Sequence, residues 1–199
     1  MTQAKFIALE GIDGSGTTTQ LGRVASALEK RGHSVLQTME PSRGPIGTRI
    51  REILRGDIVT PADSLALLFA ADRLDHLERE IQPALESDQI ALTDRYLLSS
   101  LAYQTLDVEL AFVESINSRA RKPDLSILLQ ISAKAAAERR AKRGGDDEIF
   151  DDLALQERIA SAYETAFARD DLGPTAIVDA TADIEDVTAA ILEAIDTLP

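Results

Sequence analysis

The 199 residues carry 34 acidic against 21 basic side chains, a net charge of -13, with 44% hydrophobic and 28% charged residues. That is the composition of a folded globular chain, and its acidity repels polyanions on average, which excludes a broad nucleic-acid or membrane-surface role. There is no cysteine, so disulfide frameworks, thiolate zinc sites and cysteine nucleophiles are excluded; with no run of about 18 apolar residues, a single cytoplasmic domain over 1–199 is expected.

Phe6 to Leu9 is the first short apolar run and reads as a strand. GIDGSGTTTQ follows, Gly11 to Gln20, and helical periodicity runs from Thr18 to Arg31. Strand, glycine-rich loop and helix N-terminus make the context of a phosphate-binding loop. Its candidate ATP contacts are Gly11, Ile12, Asp13, Gly14, Ser15, Gly16, Thr17 and Thr18. The glycines let successive backbone N–H groups curl around an anion, and the Thr18 hydroxyl is placed to ligate Mg²⁺. The pattern G-x-x-x-x-G-K-[ST] requires lysine where this chain has Thr17, so the cation that reaches the β- and γ-phosphates is missing. A plain glycine-rich turn capping a helix is the competing reading.

Further strands are expected at Ser34 to Thr38, Ile90 to Thr93, Leu125 to Ile131 and Ala176 to Val178. Helices fit Pro45 to Arg55, Pro61 to Glu86, Ser99 to Ser118, Ala133 to Arg143, Leu153 to Arg169 and Ile184 to Leu198. Gly32 is the expected stop of the first helix, and Thr60 before Pro61 reads as a capping residue with proline at the first helical position. The alternation predicts an α/β fold: a five-stranded parallel sheet flanked by helices in three layers. RRAKRGGDDEIFDD, Arg139 to Asp152, turns from basic through glycine to acidic. It reads either as a solvated helix end with cations near the C-terminus or as a short lid over phosphates.

Two constellations carry chemistry. Phe69 and Arg73, four apart on one helix face, offer a pyrimidine base a flat apolar partner and directed hydrogen bonds, with core packing of Phe69 as the alternative. Asp94 and Arg95 end an apolar strand, at the edge where open α/β sheets bind ligands. An arginine fork suits the charge of a phosphoryl transition state, against a simple strand-end salt bridge.

The loop's Asp13 and Gly14, EPSRGPIG at Glu40 to Gly47, LLFAADR at Leu67 to Arg73 and DRYLLSSLAYQ at Asp94 to Gln104 resemble the thymidylate kinases in order and approximate spacing. The likeness extends to PDLSILLQI at Pro123 to Ile131 and VDATADIEDV at Val178 to Val187. It implies a P-loop NTP-hydrolase-like fold and transfer of the γ-phosphoryl group of ATP to dTMP with Mg²⁺, in a homodimer. It further implies Arg95 on the dTMP phosphate and the transferred group, Asp94 orienting water on Mg²⁺, and Phe69 and Arg73 on thymine. Asp13 is then near the 3′-hydroxyl, Arg51 near the acceptor phosphate, and Ser100, Tyr103 and Gln104 around base and sugar, with Tyr103 leaving no room for a 2′-hydroxyl. Glu40 and Pro41 match the family's EP pair, while Arg43 stands where bacterial relatives usually have glycine.

Relatives with glycine at the position of Gly14 usually carry the catalytic arginine in the lid. Here Glu148 of Asp147-Glu148-Ile149-Phe150 occupies that position. Arg139, Arg140 or Arg143 is expected to supply the charge, with Arg143 favoured because Gly144 and Gly145 beside it offer a hinge. Three other functions compete: a kinase for another nucleotide or nucleoside, a nucleotide-binding protein weakened in catalysis, and a dimeric scaffold using the apolar stretch SLALLFA.

Overall fold

The computed structural model describes residues 4–143 and 152–199, without the side chain of Arg143. Strands β1 (Lys5–Glu10), β2 (Val35–Met39), β3 (Ile90–Asp94), β4 (Leu125–Gln130) and β5 (Thr175–Asp179) form one sheet in the order β2-β3-β1-β4-β5, every pair parallel. Between them run α1 (Thr17–Lys30), α2 (Pro45–Leu54), α3 (Ala62–His76), α4 (Gln82–Glu86), α5 (Leu97–Tyr103), α6 (Leu110–Asn117), α7 (Ala133–Arg143) and α8 (Leu153–Phe167), and α9 (Ile184–Asp196) follows β5. All five predicted strands are present, with ends displaced by a residue or so.

Both faces of β1 are covered, which is why it reads as an unbroken apolar run. Ile7 and Leu9 join Leu92 and Ile127 in the larger core with α1, α8 and α9, while Phe6 and Ala8 turn the other way, toward Ile81, Ala91 and Tyr96. The register fixes the functional edge. Leu9 and Met39 both stand opposite Asp94, Arg95 N–H donates to Leu9 O at 2.8 Å, and Glu40 N–H donates to Asp94 O at 2.9 Å. The residues that follow three separate strands therefore leave the sheet at one level.

Gly32 does end α1: at φ 91 it donates to Glu29 O at 2.9 Å, and His33 donates to Leu28 O at 3.1 Å. This left-handed stop is one an L side chain resists. Three local expectations are corrected. Thr60 caps nothing; Pro61 itself is the N-cap residue, and Leu65 N–H bonds its carbonyl at 3.0 Å. The helix expected over 61–86 passes through a π-helical turn at Leu77–Ile81 before Pro83, whose ring has no N–H and crowds the carbonyl four residues back. The helix expected over 99–118 begins at Leu97, tightens into a 3₁₀ turn at Gln104–Leu106 and restarts at Leu110, as the chain bends to bury Val108. Among the described residues no helix is long and apolar enough to cross a membrane.

Leu9 is completely buried in the strand that delivers the glycine loop. Leu9→Ala is expected to cost about 2–5 kcal/mol through lost burial and a residual cavity, read as a lowered urea midpoint.

Candidate active site

The glycine loop, residues 11–16, leaves β1 and turns into α1. Gly16, at φ 100, is the N-cap residue of α1 and offers no side-chain cap, so the first-turn N–H groups remain available to an anion. Gly14, at φ 91, lies under α7: a Cβ there meets Ala136 O at 2.4 Å. Thr17 is the first residue of α1 and is 7% exposed, so the position of the missing lysine holds no charge.

The residues predicted for Mg²⁺ are adjacent. Thr18 Oγ1 donates to Asp94 Oδ2 at 2.5 Å, and Asp94 Oδ1 is buried without a hydrogen-bond partner. A hydroxyl and an unsatisfied carboxylate oxygen beside a phosphate loop fit a hard divalent cation that retains several waters.

Two arginines of α7 reach the same loop. Arg139 donates to Ala180 O at 2.7 Å and to Ser15 O at 3.5 Å, and Arg140 Nη1 donates to Asp13 O at 2.5 Å. They line a cavity whose other walls are Gly14, Ser15 and Gly16 and the segment Ala180–Ile184 after β5. The sequence likeness covers that segment within Val178 to Val187 but gives it no place at the site, since it has no glycine of its own. Arg143's side chain, the Gly144-Gly145 hinge and the Asp147–Phe150 motif lie outside the described residues.

A second cavity gathers every residue predicted for the acceptor: Asp13, Glu40, Pro41, Arg51, Phe69, Arg73, Arg95, Ser100, Tyr103 and Gln104, joined by Met39, Leu54, Tyr96 and Ser99. Its back wall is polar and buried. Arg73 and Glu40, with side chains 1% and 3% exposed, pair at 2.7 Å. Arg73 Nη2 also donates to Tyr96 O and Ser100 Oγ at 3.0 Å each, and Nη1 donates to Asn117 Oδ1. The pair behind the wall continues through His76, whose Nδ1 lies 3.3 Å from Glu40 Oε1 and whose Nε2 lies 2.6 Å from Thr38 Oγ1.

Neighbouring Asp72 holds Ser42 through its N–H and its hydroxyl, both at 2.6 Å. Arg51 donates to Ser42 O at 2.6 and 2.8 Å and to Pro41 O at 3.1 Å, while Arg43 is exposed. Phe69 is half-buried, packed on the α2 cluster of Ile50, Ile53 and Leu54 while facing the cavity. Gln104 is buried, with Oε1 unpartnered.

Arg95 stands where the two cavities approach each other. Its φ of 67 is a costly conformation for a side chain of this size, of the kind concentrated at functional sites. Nη2 donates to Asp13 Oδ1 at 2.6 Å, Nη1 donates to Tyr163 OH at 3.1 Å, and the guanidinium lies 5.0 Å from the Tyr103 ring centre. Tyr103 OH and Gln156 Nε2 both donate to Asp13 Oδ2, at 3.1 and 3.2 Å. Behind Arg95, burial pushes the Glu10 carboxyl up to about 7, against the Ser99 hydrogen bond and the positive charges of Arg95 and Arg73, which lower it. Tyr163, Gln156 and Glu10 were not anticipated; the first two come from α8, whose apolar periodicity marks them simply as buried.

The family model described as Thymidylate kinase matches residues 9–191. A probable thymidylate kinase of Pyrobaculum aerophilum is 42% identical over 96% of this chain and 95% of its own length. One of Pyrococcus abyssi is 43% identical over 79% of this chain and 80% of its own, and a putative thymidylate kinase of Treponema pallidum is 37% identical over 82% and 79%.

Two outcomes follow from the buried charges. Arg73→Met strands the Glu40 carboxylate and is expected to destabilise the fold by about 3–5 kcal/mol, measured by urea unfolding. Glu10, raised from 4.5 to about 7, makes the folded chain bind more protons than the unfolded chain between those values. Stability therefore falls as pH rises through that window, and Glu10→Gln removes the slope. Unfolding midpoints at about pH 5 and about pH 7.5, on either side of most of that fall, test it.

Proposed function

The chain belongs to the thymidylate kinase family, and on that premise we propose that it transfers the γ-phosphoryl group of ATP to dTMP, giving dTDP and ADP. The supporting observation is the acceptor cavity: residues scattered from Asp13 to Gln104 line one pocket, and that pocket meets the phosphate loop at Asp13 and Arg95. In this reading thymine lies against Phe69, with Ser100 and Gln104 Oε1 at its polar edge. Arg73 serves the base site mainly as the buried anchor of Glu40 and Ser100. Tyr103, held by Asp13, closes the sugar pocket. The donor base lies between Arg139 and the Ala180–Ile184 segment.

Phosphoryl transfer asks for alignment and charge neutralisation more than covalent chemistry. Arg95 presents a fork to the acceptor phosphate and the transferred group, with Asp13 and Tyr163 fixing its plane. Arg51 faces the same phosphate from α2. Thr18 and Asp94 would hold Mg²⁺, Asp94 in part through water, and the ion when bound neutralises charge on the β- and γ-oxygens. The acceptor phosphate is already anionic at neutral pH, so no side chain is needed as a strong base.

Of the α7 cations, we assign the role of the missing lysine to Arg140, whose guanidinium already lies on the loop at Asp13 O. We also propose a homodimer, supported by an exposed apolar stripe on α3 made by Leu67, Ala71 and Leu74 at spacings of four and three. The enzyme works in the cytoplasm with its nucleotide pool.

Purified protein with Mg²⁺-ATP is expected to form dTDP in preference to products from dUMP, dCMP, dGMP or thymidine; no dTDP at all defeats the kinase reading. Arg95→Ala and Arg140→Ala should each lower kcat by about 10²-fold or more, the scale of losing one transition-state donor. An Arg140→Ala enzyme with unchanged kcat removes Arg140 from the scheme, and the same measurement on Arg143→Ala then decides for the last arginine of the helix.

A further inference from the structure

The scheme above gives Glu10 no task, yet its side chain is wholly buried at the end of β1, behind Arg95. Glu10 Oε2 lies 2.5 Å from Ser99 Oγ and 3.2 Å from Tyr163 OH, and those two hydroxyls lie 2.6 Å from each other. Arg95 Nη1 donates to Tyr163 OH at 3.1 Å and reaches Ser99 Oγ at 3.5 Å. Glu10 Oε1 is buried and has no partner.

Counting hydrogens assigns the protonation. Three oxygen–oxygen contacts close a ring, but Ser99 and Tyr163 bring just two hydroxyl hydrogens between them. With Glu10 ionised, one contact at hydrogen-bond distance has no hydrogen, and half of a negative charge rests on the buried Oε1, to which no protein group donates. A proton on Glu10 supplies the third hydrogen. Each oxygen of the ring then donates once and accepts once, and Ser99 and Tyr163 keep a lone pair each for Arg95 Nη1. The charged groups around the ring are consistent with this balance. Arg95 and Arg73 favour the ionised form, Glu40 opposes it, and on the far side of Arg95 its positive charge is already shared with Asp13, Tyr103 and Asp94.

We infer that Glu10 is a positioning residue for phosphoryl transfer: as a proton-bearing acid it locks Ser99 and Tyr163 into a ring that holds one edge of the Arg95 guanidinium, leaving Nη2 turned toward Asp13 and the acceptor cavity. The inference rests on the reading of Arg95 as the group that meets the transferred phosphoryl. Four elements take part, since β1 supplies Glu10, the turn after β3 supplies Arg95, α5 supplies Ser99 and α8 supplies Tyr163. A reactive group displaced by about 1 Å loses on the order of 10²-fold in rate, so an orienting ring this close to the chemistry has leverage.

The test compares Glu10→Ala with Glu10→Gln in steady-state dTMP phosphorylation across pH. Glu10→Ala is expected to lower kcat by about 10–100-fold while KM for ATP moves less than about twofold. Glu10→Gln restores most of that loss, because its amide N–H₂ replaces the acid proton toward Ser99. It also abolishes the decline of kcat above about pH 7 that the wild type shows as Glu10 gives up its proton. A second readout needs no turnover: the ¹⁵N guanidinium resonances of Arg95, identified by their loss in Arg95→Lys, should shift across neutral pH in the wild type and stay fixed in Glu10→Gln.

Glu10→Ala with unchanged kcat, Glu10→Gln as slow as Glu10→Ala, or Arg95 resonances with the same pH curve in both proteins overturns the inference. A wild type that forms no dTDP while its Arg95 resonances follow Glu10 overturns the kinase reading and upholds the tether.

Discussion

A guanidinium taken out of water must be paired, and the acceptor side of this molecule is organised around that demand at Arg73. Its partner Glu40 follows β2, its other acceptors are Tyr96 O, Ser100 on α5 and Asn117 on α6, and the whole set is buried. Removing Glu40 leaves the buried guanidinium without its counter-charge, a cost of about 3–5 kcal/mol. The adjacent Asp72 grips Ser42 from the same turn of α3, and Arg51 takes the carbonyls of Pro41 and Ser42 from α2. The loop after β2 is thus fixed by polar contacts from both sides. Its precision comes from electrostatics in a low-dielectric wall, and apolar packing supports it from behind through Ile50, Ile53 and Leu54.

This coupling also explains what the sequence could and could not disclose. The five strands were legible because a strand covered on both faces is apolar throughout, as at Phe6 to Leu9, and the glycine loop was legible because Gly14 and Gly16 adopt left-handed backbone. The ten residues expected at the acceptor line one cavity because the sheet register brings their motifs together, with Leu9 and Met39 both level with Asp94. What stayed hidden depends on distant partners. Arg73 lines the cavity as its helix position suggests, but its pairing with Glu40, Tyr96 O, Ser100 and Asn117 comes from distant parts of the chain. The helix expected over 61–86 ran through Pro83 unbroken, and the π turn in which the chain absorbs that proline has no local mark. Tyr163 and Gln156, some 150 residues after Asp13 and Glu10, give no local sign that they will touch them.

Net charge tells a similar story at a coarser scale. An acidic chain must present two anionic nucleotides with positive charge, and it does so by spending its arginines unequally. Arg23, Arg31 and Arg55 are neutralised at the surface by Glu185, Asp196 and Asp57. Arg51 and Arg139 are held by backbone carbonyls, which orient a guanidinium without cancelling its charge. Cations fixed before the substrate arrives cost no reorganisation during reaction, which is where electrostatic preorganisation contributes most.

The uncharged Thr17 gives that arrangement its particular form. A lysine on the loop is present however the rest of the molecule is arranged. An arginine on α7 is present only when α7 lies against the loop, as it does here with Arg140 on Asp13 O and Ala136 O close enough to Gly14 to exclude a Cβ. On the proposed scheme Gly14 serves two needs at once, a left-handed turn in the loop and a seat for the helix that carries Arg140. A side chain at that position pushes α7 off the loop and takes the cations with it. If Arg140 takes the role we propose for it, the absence of lysine and the presence of glycine are a single structural choice, in which charge compensation is tied to the packing of one helix.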